Sequence, residues 1–509
     1  MKDWAKLILV FIIFMIFATI SNKLDFISDD SFIGYRYAKN FVEGNGLVYN
    51  AGEVVEGYTT FSWVMLASLF INLNLDPFLY SRYFSFICSL VIFILLYFIS
   101  ENYFNVKFPY NLIAIILLAF NVGFIMWAAS GLETIFFTLL IVVSGYYVIK
   151  FIETRKTINL YYCSFFLLMC AYTRPEGIYF FVLSFSYLIY FLLTTLKYSF
   201  GKTIRLLILP VLVFVILFSI YFIMRYNYYG YLFPNTYYAK SGGNYMQQVR
   251  GFYYIYRFVK ESLGVGLLLS LPVYLIYKNH KNDKVTFLLV IILGYLSYVI
   301  YIGGDGLGSQ RFIIPVMPWL FLLIQSGFYK LVNNFRIKKL ATLILSLLII
   351  FSSISSTFDF RRRPANQIAF ARTVGHNFIK VSEYMKNNLN KDERLAVISA
   401  GMIPYYTDFY TIDRLGLNDI HIAHKKMYNM GSGGAGHEKK DDDYVFQFKN
   451  PTIFIDEFPT PEKKEKEDLE KFGKIYKFNS INIGEGEFAD EYGNVSKADI
   501  YFNFYKLLK

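Results

Sequence analysis

Long apolar segments recur through the first two thirds of this chain, and they restrict its fold more than any other feature. A run of about 20 apolar residues matches the hydrocarbon thickness of a bilayer, where only helices satisfy their own backbone hydrogen bonds. The mean hydropathy of +0.39 and the 55% share of hydrophobic residues agree with this interpretation. The sequence therefore predicts a polytopic α-helical membrane protein.

The lengths of the apolar runs predict eleven membrane spans. They are residues 5–21, 81–99, 109–127, 133–152, 158–172, 177–196, 205–224, 263–277, 285–301, 312–330 and 340–356. The further run at 61–75 is short and ends with Asn72 and Asn74, so we interpret it as a helix that lies along the membrane surface.

Loop charge sets the predicted orientation, because cytoplasmic loops of membrane proteins carry an excess of Lys and Arg. With 61–75 on the surface, the basic loops around Lys150, Lys197, Lys278 and Lys330 all become cytoplasmic, and the N-terminus lies inside. The net charge of +12 is then explained by these loops rather than by a nucleic-acid partner. Only the basic residues 361–363 oppose this topology.

The same topology places the unusual polar segments together on the outer face. They are the 22–60 loop, "AASGLET" (128–134), "YTRPEG" (172–177), "FPNTYYAKSGG" (233–243) and "GGDGLGSQRF" (303–312). We divide the chain into a membrane domain, 1–356, and an outer domain, 357–509. Residues 22–80 form the first outer loop, with its juxtamembrane helices.

The outer domain has the mixed pattern of a small α/β fold. Residues 366–390 predict an amphipathic helix, and 394–400, 444–456 and 500–508 predict strands. The glycine-rich 431–436 predicts a flexible loop, and the charge run at 461–471 predicts a solvated helix. The fold class is therefore a polytopic α-helical membrane protein with a C-terminal α/β domain on the outer face.

Two adjacent carboxylates, Asp29 and Asp30, follow the first apolar run. Neighbouring residues on a helix point about 100° apart, so one of them can face a cavity while the other points elsewhere. A partly buried carboxylate suits a general base that takes a proton from a hydroxyl. Asp is also a favoured helix cap, so the residues alone leave a catalytic and a capping role equally open.

Further charged residues reach the predicted outer face: Glu133, Glu176, Asp305, Arg174, Lys240 and Arg311. Charges beside apolar spans are costly and usually have a partner or a task. Arg311 follows a glycine-rich turn and suits a phosphate at the membrane surface. The alternatives are that Arg174 braces two spans with Glu176, and that Lys240 and Arg311 anchor the chain at the interface.

The segment "DDSFIGYRYAKNFVEGNGLVYNAGEVVEGYTTFSW" resembles the first outer loop of bacterial membrane glycosyltransferases that include the mycobacterial terminal β-(1→2)-arabinofuranosyltransferase. "SGLET", "TRPEG", "FPNTYYAK", "GGDGLGSQRFIIPVMP" and "IPYYTDFYTIDRLGLND" resemble recurrent segments of the same family, in the same order. The resemblance implies the GT-C class, a polyprenyl-phosphate sugar as donor, and a multi-pass protein of the bacterial cytoplasmic membrane.

The resemblance also implies roles for individual residues. Asp29 and Asp30 become the catalytic pair, with Asp29 the favoured base. The donor phosphate is expected at Arg311, Lys240 and Arg174, and the substrates at Arg36, Glu56, Tyr58, Glu133, Asn235, Tyr238 and Asp305. In the outer domain, Asp413, Asn418 and Asp419 are expected to dock on the membrane domain.

Several alternatives stay open at this level. The acceptor is a cell-envelope glycan or another hydroxyl compound, and arabinofuranose is only one candidate sugar. Paired carboxylates permit a divalent cation without requiring one. A flagellar motor control membrane protein shares the pattern, which makes a non-enzymatic regulator of an envelope machine the alternative function. A transporter is disfavoured, because the charges cluster on one face rather than at mid-span.

Overall fold

The computed structural model describes residues 3–242, 245–262, 267–279, 282–335, 363–428, 430–490 and 493–508. In the membrane region the α-helices are α1 Asp3–Leu24, α2 Asp29–Val42, α3 Phe61–Asn72, α4 Pro77–Tyr103, α5 Ile113–Ala119, α6 Val122–Ala129, α7 Thr134–Thr154, α8 Ile158–Thr173, α9 Glu176–Tyr190, α10 Phe200–Tyr229, α11 Asn235–Lys240, α12 Tyr245–Ser262, α13 Ser270–Asn279, α14 Asp283–Ile302 and α15 Met317–Phe335. Shorter helical turns cover Tyr110–Leu112, Phe191–Thr195, Leu267–Leu269 and Arg311–Val316.

The C-terminal domain contains a long helix, several short ones and a six-stranded sheet. Its elements are α16 Arg363–Asn388, β1 Arg394–Val397, α17 Met402–Thr407, β2 Tyr410–Asp413, α18 Ile420–His424, α19 Asp442–Tyr444, a helical turn Val445–Lys449, β3 Ile453–Phe454, β4 Leu469–Lys471, β5 Lys474–Ala489 and β6 Val495–Leu507. The strand order is β2-β1-β3-β6-β5-β4. The three strands β2, β1 and β3 are parallel, whereas the rest of the sheet is antiparallel.

Seven helices within the described residues are long and apolar enough to cross a membrane. They are Trp4–Leu24, Pro77–Tyr103, Thr134–Thr154, Glu176–Thr195, Phe200–Tyr229, Asp283–Ile302 and Arg311–Asn334. The pair α5 and α6, bent by 58°, would make an eighth span. The predicted fold class is thus confirmed: the protein is a multi-pass α-helical membrane protein with a C-terminal sheet domain.

The remaining predicted spans have different outcomes. The run at 158–172 forms α8, an apolar helix of 16 residues. Of the run at 263–277, the structure describes only the turn Leu267–Leu269 and the first part of α13. The span at 340–356 lies outside the described residues, as do the basic residues 361 and 362. The run at 61–75 forms the short helix α3, and its position along the membrane surface stays a prediction.

In the C-terminal domain the long helix and the strands at 394–397 and 495–507 follow the prediction. Two predictions there are wrong. Residues 444–449 are helical rather than extended, because the side chain of Asp441 accepts the backbone N–H of Tyr444 and starts a helical turn. The charge run at 461–471 is not helical, and it ends in β4, which pairs with β5. There Lys464 pairs with Glu457, outside the run.

Helix α2 joins the two regions. It follows an extended Ser28, and Asp29 and Asp30 occupy its first turn, where carboxylates interact favourably with the helix dipole. Its apolar side chains, Phe32 among them, share one hydrophobic cluster with Phe378 of α16 and Leu395 of β1. The start of α2 is therefore held by contacts from both the membrane region and the C-terminal domain.

Candidate active site

A cavity of about 510 Å³ opens beside the first turn of α2. We call it the central cavity. The residues from the sequence prediction that line it are Asp30, Tyr58, Glu133, Arg174, Glu176, Lys240, Asp305 and Arg311. They come from loops and helix ends that are far apart in sequence, and the fold brings them together. Aromatic side chains complete the wall, including Trp63, Tyr298 and Phe312.

A second cavity of about 410 Å³ lies between the membrane region and the C-terminal domain. We call it the interdomain cavity. Asp30, Lys240 and Asp305 line both cavities. These three charged residues therefore stand where the two cavities meet, which is a suitable place for two reacting molecules to come into contact.

The two adjacent aspartates have different surroundings. The carboxylate of Asp29 accepts backbone N–H groups from Gly401 at 3.0 Å and Met402 at 2.8 Å. Burial raises the pKa of Asp29 to about 7, although these two hydrogen bonds act in the opposite direction. Asp29 lines the interdomain cavity but not the central one. Both of its oxygens are thus engaged by the C-terminal domain.

Asp30 is arranged differently. Within the part of the chain that the structure describes, no hydrogen bond or ion pair engages its carboxylate. Because the residue faces both cavities, its oxygens are available to a molecule in either of them. The geometry therefore favours Asp30 over Asp29 as the group that meets substrate.

Arg311 and Asp305 form a buried ion pair on the wall of the central cavity. Arg311 Nε lies 2.7 Å from Asp305 Oδ2, and the two side chains are only 8% and 5% exposed. The guanidinium also lies over the ring of Trp127, 5.3 Å from its centroid. Arg311 starts a helical turn just after Gln310, whose φ of 44° lies in the left-handed region.

Arg174 is occupied by carboxylates. It donates to Glu133 at 2.5 Å and to both carboxylate oxygens of Glu176, at 2.8 and 3.3 Å. All three side chains are buried. This arrangement ties α7 to α9, so the bracing role fits Arg174 better than the phosphate contact that the resemblance implies.

Lys240 ends α11, and its neighbours fasten that short helix to the C-terminal domain. Asn235 donates to the carbonyls of Gly416 and Leu417 at 2.9 and 3.0 Å, and Tyr238 stacks on His424 with ring centroids 4.1 Å apart. Asn235 and Tyr238 therefore dock the two regions and do not line the central cavity. No hydrogen bond or ion pair engages the Lys240 ammonium among the described residues.

Two further residues named from the sequence lie away from the central cavity. Arg36 is buried and donates to the carbonyls of Tyr49, Pro404 and Phe409, so it fastens α2 to the C-terminal domain. Glu56 forms a buried ion pair with Arg225 of α10, with its two oxygens 2.9 and 2.6 Å from the guanidinium nitrogens. Both side chains hold structural contacts. The resemblance implies that they contact substrate, but neither of them lines the central cavity.

The structure adds residues that the sequence prediction missed. Arg250 of α12 lines the central cavity and donates to Gly433 O and Glu438, both at 2.9 Å. Glu438 in turn accepts the N–H groups of Gly431 and Gly433. The glycine-rich segment predicted as a flexible loop is thus wrapped around a carboxylate. The sequence signal for this arrangement is Glu438, the acidic residue that follows the glycines. Predicting a flexible loop from the glycines alone overlooks it.

The described residues contain no group of three or more His, Cys, Asp and Glu side chains that could hold a metal ion.

The docking residues of the C-terminal domain are placed by hydrogen bonds. Asn418 Oδ1 accepts the Tyr37 hydroxyl at 3.0 Å, and the Asp413 carboxylate accepts the backbone N–H groups of Leu415 and Asn418. Asp413 therefore shapes the turn that presents Asn418 to α2.

Residues 365–500 match a family model described as a domain of unknown function, DUF8728. No curated protein matches the chain. The match to the family model covers most of the C-terminal domain.

The fold of most of this chain is also found in solved structures. ArnT from Cupriavidus metallidurans bound to undecaprenyl phosphate superposes with a TM-score of 0.55 at 10% identity, covering 81% of this chain and 86% of ArnT. The chain shares the fold of ArnT. The apo state of ArnT gives a TM-score of 0.54 at 11% identity, covering 88% of this chain and 92% of ArnT.

The oligosaccharyltransferase AglB from Archaeoglobus fulgidus, in complex with an inhibitory peptide and a dolichol-phosphate, is more distant. Its TM-score is 0.47 at 10% identity, with 81% of this chain and 65% of AglB covered. The likeness to ArnT shows that this chain has the same polytopic helical fold. The identity is too low to carry residue roles or a substrate across.

Proposed function

We propose that this protein is a glycosyltransferase that moves a sugar from a polyprenyl-phosphate donor to an acceptor hydroxyl. One observation carries the proposal: Asp30 and Lys240, an unpaired carboxylate and an unpaired ammonium among the described residues, face the junction of two cavities. A base for the acceptor and a cation for the leaving phosphate are the two groups that such a transfer needs.

The donor is assigned to the central cavity. Arg311 and Lys240 bind its phosphate, since guanidinium and ammonium groups both form charge-assisted hydrogen bonds to phosphate oxygens. Aromatic side chains such as Tyr301 and Phe233 line the same cavity and are substantially exposed on the surface, where the polyprenyl chain would leave towards lipid. The structure of ArnT with undecaprenyl phosphate supports a lipid phosphate as the ligand class for this fold.

The transfer step follows from this placement. Asp30 accepts the proton of the acceptor hydroxyl, and the oxygen of that hydroxyl forms a bond to the anomeric carbon of the sugar. The bond between that carbon and the phosphate oxygen breaks, and the electron pair leaves with the lipid phosphate. Lys240 and Arg311 stabilise the negative charge that the phosphate gains. Asp29, held by the C-terminal domain, positions the first turn of α2.

The reaction is assigned to the outer face of the bacterial cytoplasmic membrane, with the C-terminal domain, residues 357–509, on that face. The acceptor is a hydroxyl of the cell envelope. Arabinofuranose remains one candidate for the sugar. If the reaction uses a divalent cation, Asp305, which lines both cavities, would hold it, and the cation would help to neutralise the donor phosphate.

Purified protein in lipid nanodiscs, incubated with a panel of labelled polyprenyl-phosphate sugars, tests the proposal. We expect release or transfer of one labelled sugar by the wild type and loss of at least 99% of that activity in Asp30→Asn. Asp392→Asn is the matched control, because Asp392 is an exposed carboxylate of the C-terminal domain. Full activity of Asp30→Asn would overturn the assignment of the base, and inertness of the wild type across the panel would overturn glycosyl transfer.

A further inference from the structure

The interdomain cavity has one charged end and one apolar end. Its charged end is the junction with the central cavity, where Asp30, Lys240 and Asp305 lie. Away from the junction its wall is mostly apolar, with Asp29, Ser399 and His437 as the polar exceptions. A ligand of this cavity must therefore be polar at one end and apolar over the remainder.

One face of α16 supplies much of the apolar wall. Phe370, Val374 and Phe378 are four residues apart and therefore lie on the same side of the helix. Leu415 and Met402 of the C-terminal domain and Ile27 before α2 add further apolar surface. This wall offers few hydrogen-bond partners along its length.

The composition of the wall excludes an extended saccharide as the ligand of this cavity. Sugar hydroxyls that lose water without gaining a hydrogen bond carry a large free-energy cost. An alkyl or prenyl group has the opposite preference and gains free energy with each methylene that leaves water. The volume of about 410 Å³ lies within the range of pockets that take small ligands.

We propose that the interdomain cavity binds an amphiphilic acceptor, a hydroxyl compound with an alkyl or prenyl moiety, whose hydroxyl meets Asp30 while its apolar part lies along α16. The proposal rests on the function proposed above, because it uses Asp30 as the base. Phe370 and Phe458 line the cavity and remain 44% and 43% exposed, so they mark an apolar entrance through which a lipid-like molecule enters.

A photoreactive octyl β-glucoside with a diazirine at the end of its chain tests the proposal, with the full-length protein in nanodiscs. Mass spectrometry of cross-linked peptides should place the probe on the 370–378 stretch of α16 and near Phe458. We expect octyl β-glucoside to compete at a concentration at least tenfold lower than methyl β-glucoside. Equal competition by the two compounds would mean that the sugar, not the alkyl chain, is recognised, and would overturn the proposal.

Variants that fill the interdomain cavity give a second test of the proposal. Val374→Trp should lower labelling at least tenfold, whereas Lys386→Trp, on an exposed position of the same helix, should leave labelling unchanged. Ala371→Phe is a milder variant that fills the same space if Val374→Trp fails to fold. Labelling unaffected by a folded cavity-filling variant would contradict the proposal.

Binding of undecaprenyl phosphate, measured by native mass spectrometry, separates this inference from the proposed function. Val374→Trp should leave that binding unchanged, because the donor is assigned to the central cavity. If the variant weakens it tenfold or more, the donor chain occupies the interdomain cavity and the inference is wrong, although glycosyl transfer stands. If the wild type binds no lipid phosphate but is labelled on α16, the proposed function fails instead.

Discussion

The carboxylate of Asp29 accepts the backbone N–H of Met402 at 2.8 Å, across 373 positions of the sequence. A second bond, from Gly401, engages its other oxygen. Asp30 follows directly in the first turn of α2, so the contact that fixes Asp29 also fixes the direction in which Asp30 points. The geometry of the candidate site thus depends on how the C-terminal domain is seated.

Asp29→Asn should weaken this contact without removing the base. One of the two N–H groups loses its acceptor, because the amide nitrogen of Asn is a donor, and a buried unsatisfied donor costs about 1–3 kcal/mol. We expect a lower thermal midpoint and a partial loss of transfer, well short of the loss in Asp30→Asn. Unfolding followed by intrinsic fluorescence, with Asp392→Asn as control, checks this; equal loss of transfer in the two variants would argue against separate roles.

Gly401→Ala should disturb the same contact from the other side. A Cβ at this position would collide with the backbone carbonyl of Asp29, and a backbone group cannot move aside easily. We expect faster proteolytic cleavage between the membrane region and the C-terminal domain. Gly434→Ala is the matched control, since a Cβ there meets only ordinary contacts, the nearest at 3.9 Å. Identical cleavage rates in the two variants would show that the contact does not hold the domain.

Arg174→Gln should destabilise the membrane region strongly. The change leaves Glu133 and Glu176 buried without their cation, and breaking a buried ion pair from one side costs about 3–5 kcal/mol. We expect the double variant Arg174→Gln, Glu133→Gln to recover part of the lost thermal stability, because it removes one of the two unpaired charges. A stable, folded Arg174→Gln protein with reduced binding of undecaprenyl phosphate would instead favour a phosphate-binding role.

Arg311→Gln tests the phosphate site. Loss of a charge-assisted hydrogen bond, worth about 1.5–3 kcal/mol, corresponds to roughly a 10- to 100-fold weaker affinity for undecaprenyl phosphate. Arg311→Gln alone leaves the buried Asp305 without its cation. The double variant Arg311→Gln, Asp305→Asn has no unpaired acid and is therefore the control. Unchanged affinity in both variants would place the phosphate elsewhere.

Thermal stability should fall as the pH rises from about 4 to 7. Burial raises the pKa of Asp29 to about 7 and that of Asp413 to about 6, both above the ordinary aspartate pKa of 3.8. The folded protein therefore binds protons that the unfolded chain has released in this window, so stability decreases with pH, by at most about 1.4 kcal/mol per pH unit for each group. Asp29→Asn should make the decrease between pH 4 and 7 shallower and leave the part that is due to Asp413; an unchanged slope would contradict the assignment to Asp29.

The sequence predicts the membrane helices well because apolar run length is a local property. The strands of the C-terminal domain are harder to predict from the sequence. β2 is a short strand within 401–419, and the long strand β5 is stabilised by pairing with β6. Local periodicity reveals neither of these strands. The acidic pair was recognisable from its motif, but the distinction between Asp29 and Asp30 was not. It depends on Gly401 and Met402, and that contact exists only in the folded chain.

The hydrogen bonds between Asp29 and α17 also bear on how the protein is made. The first carboxylate of α2 leaves the ribosome early, whereas its partners follow hundreds of residues later, after the helices of the membrane region. Domains generally fold as units during synthesis, and long-range contacts form late. The central cavity therefore acquires its final shape only after the C-terminal domain has folded, and a membrane region inserted without that domain is not yet a finished site.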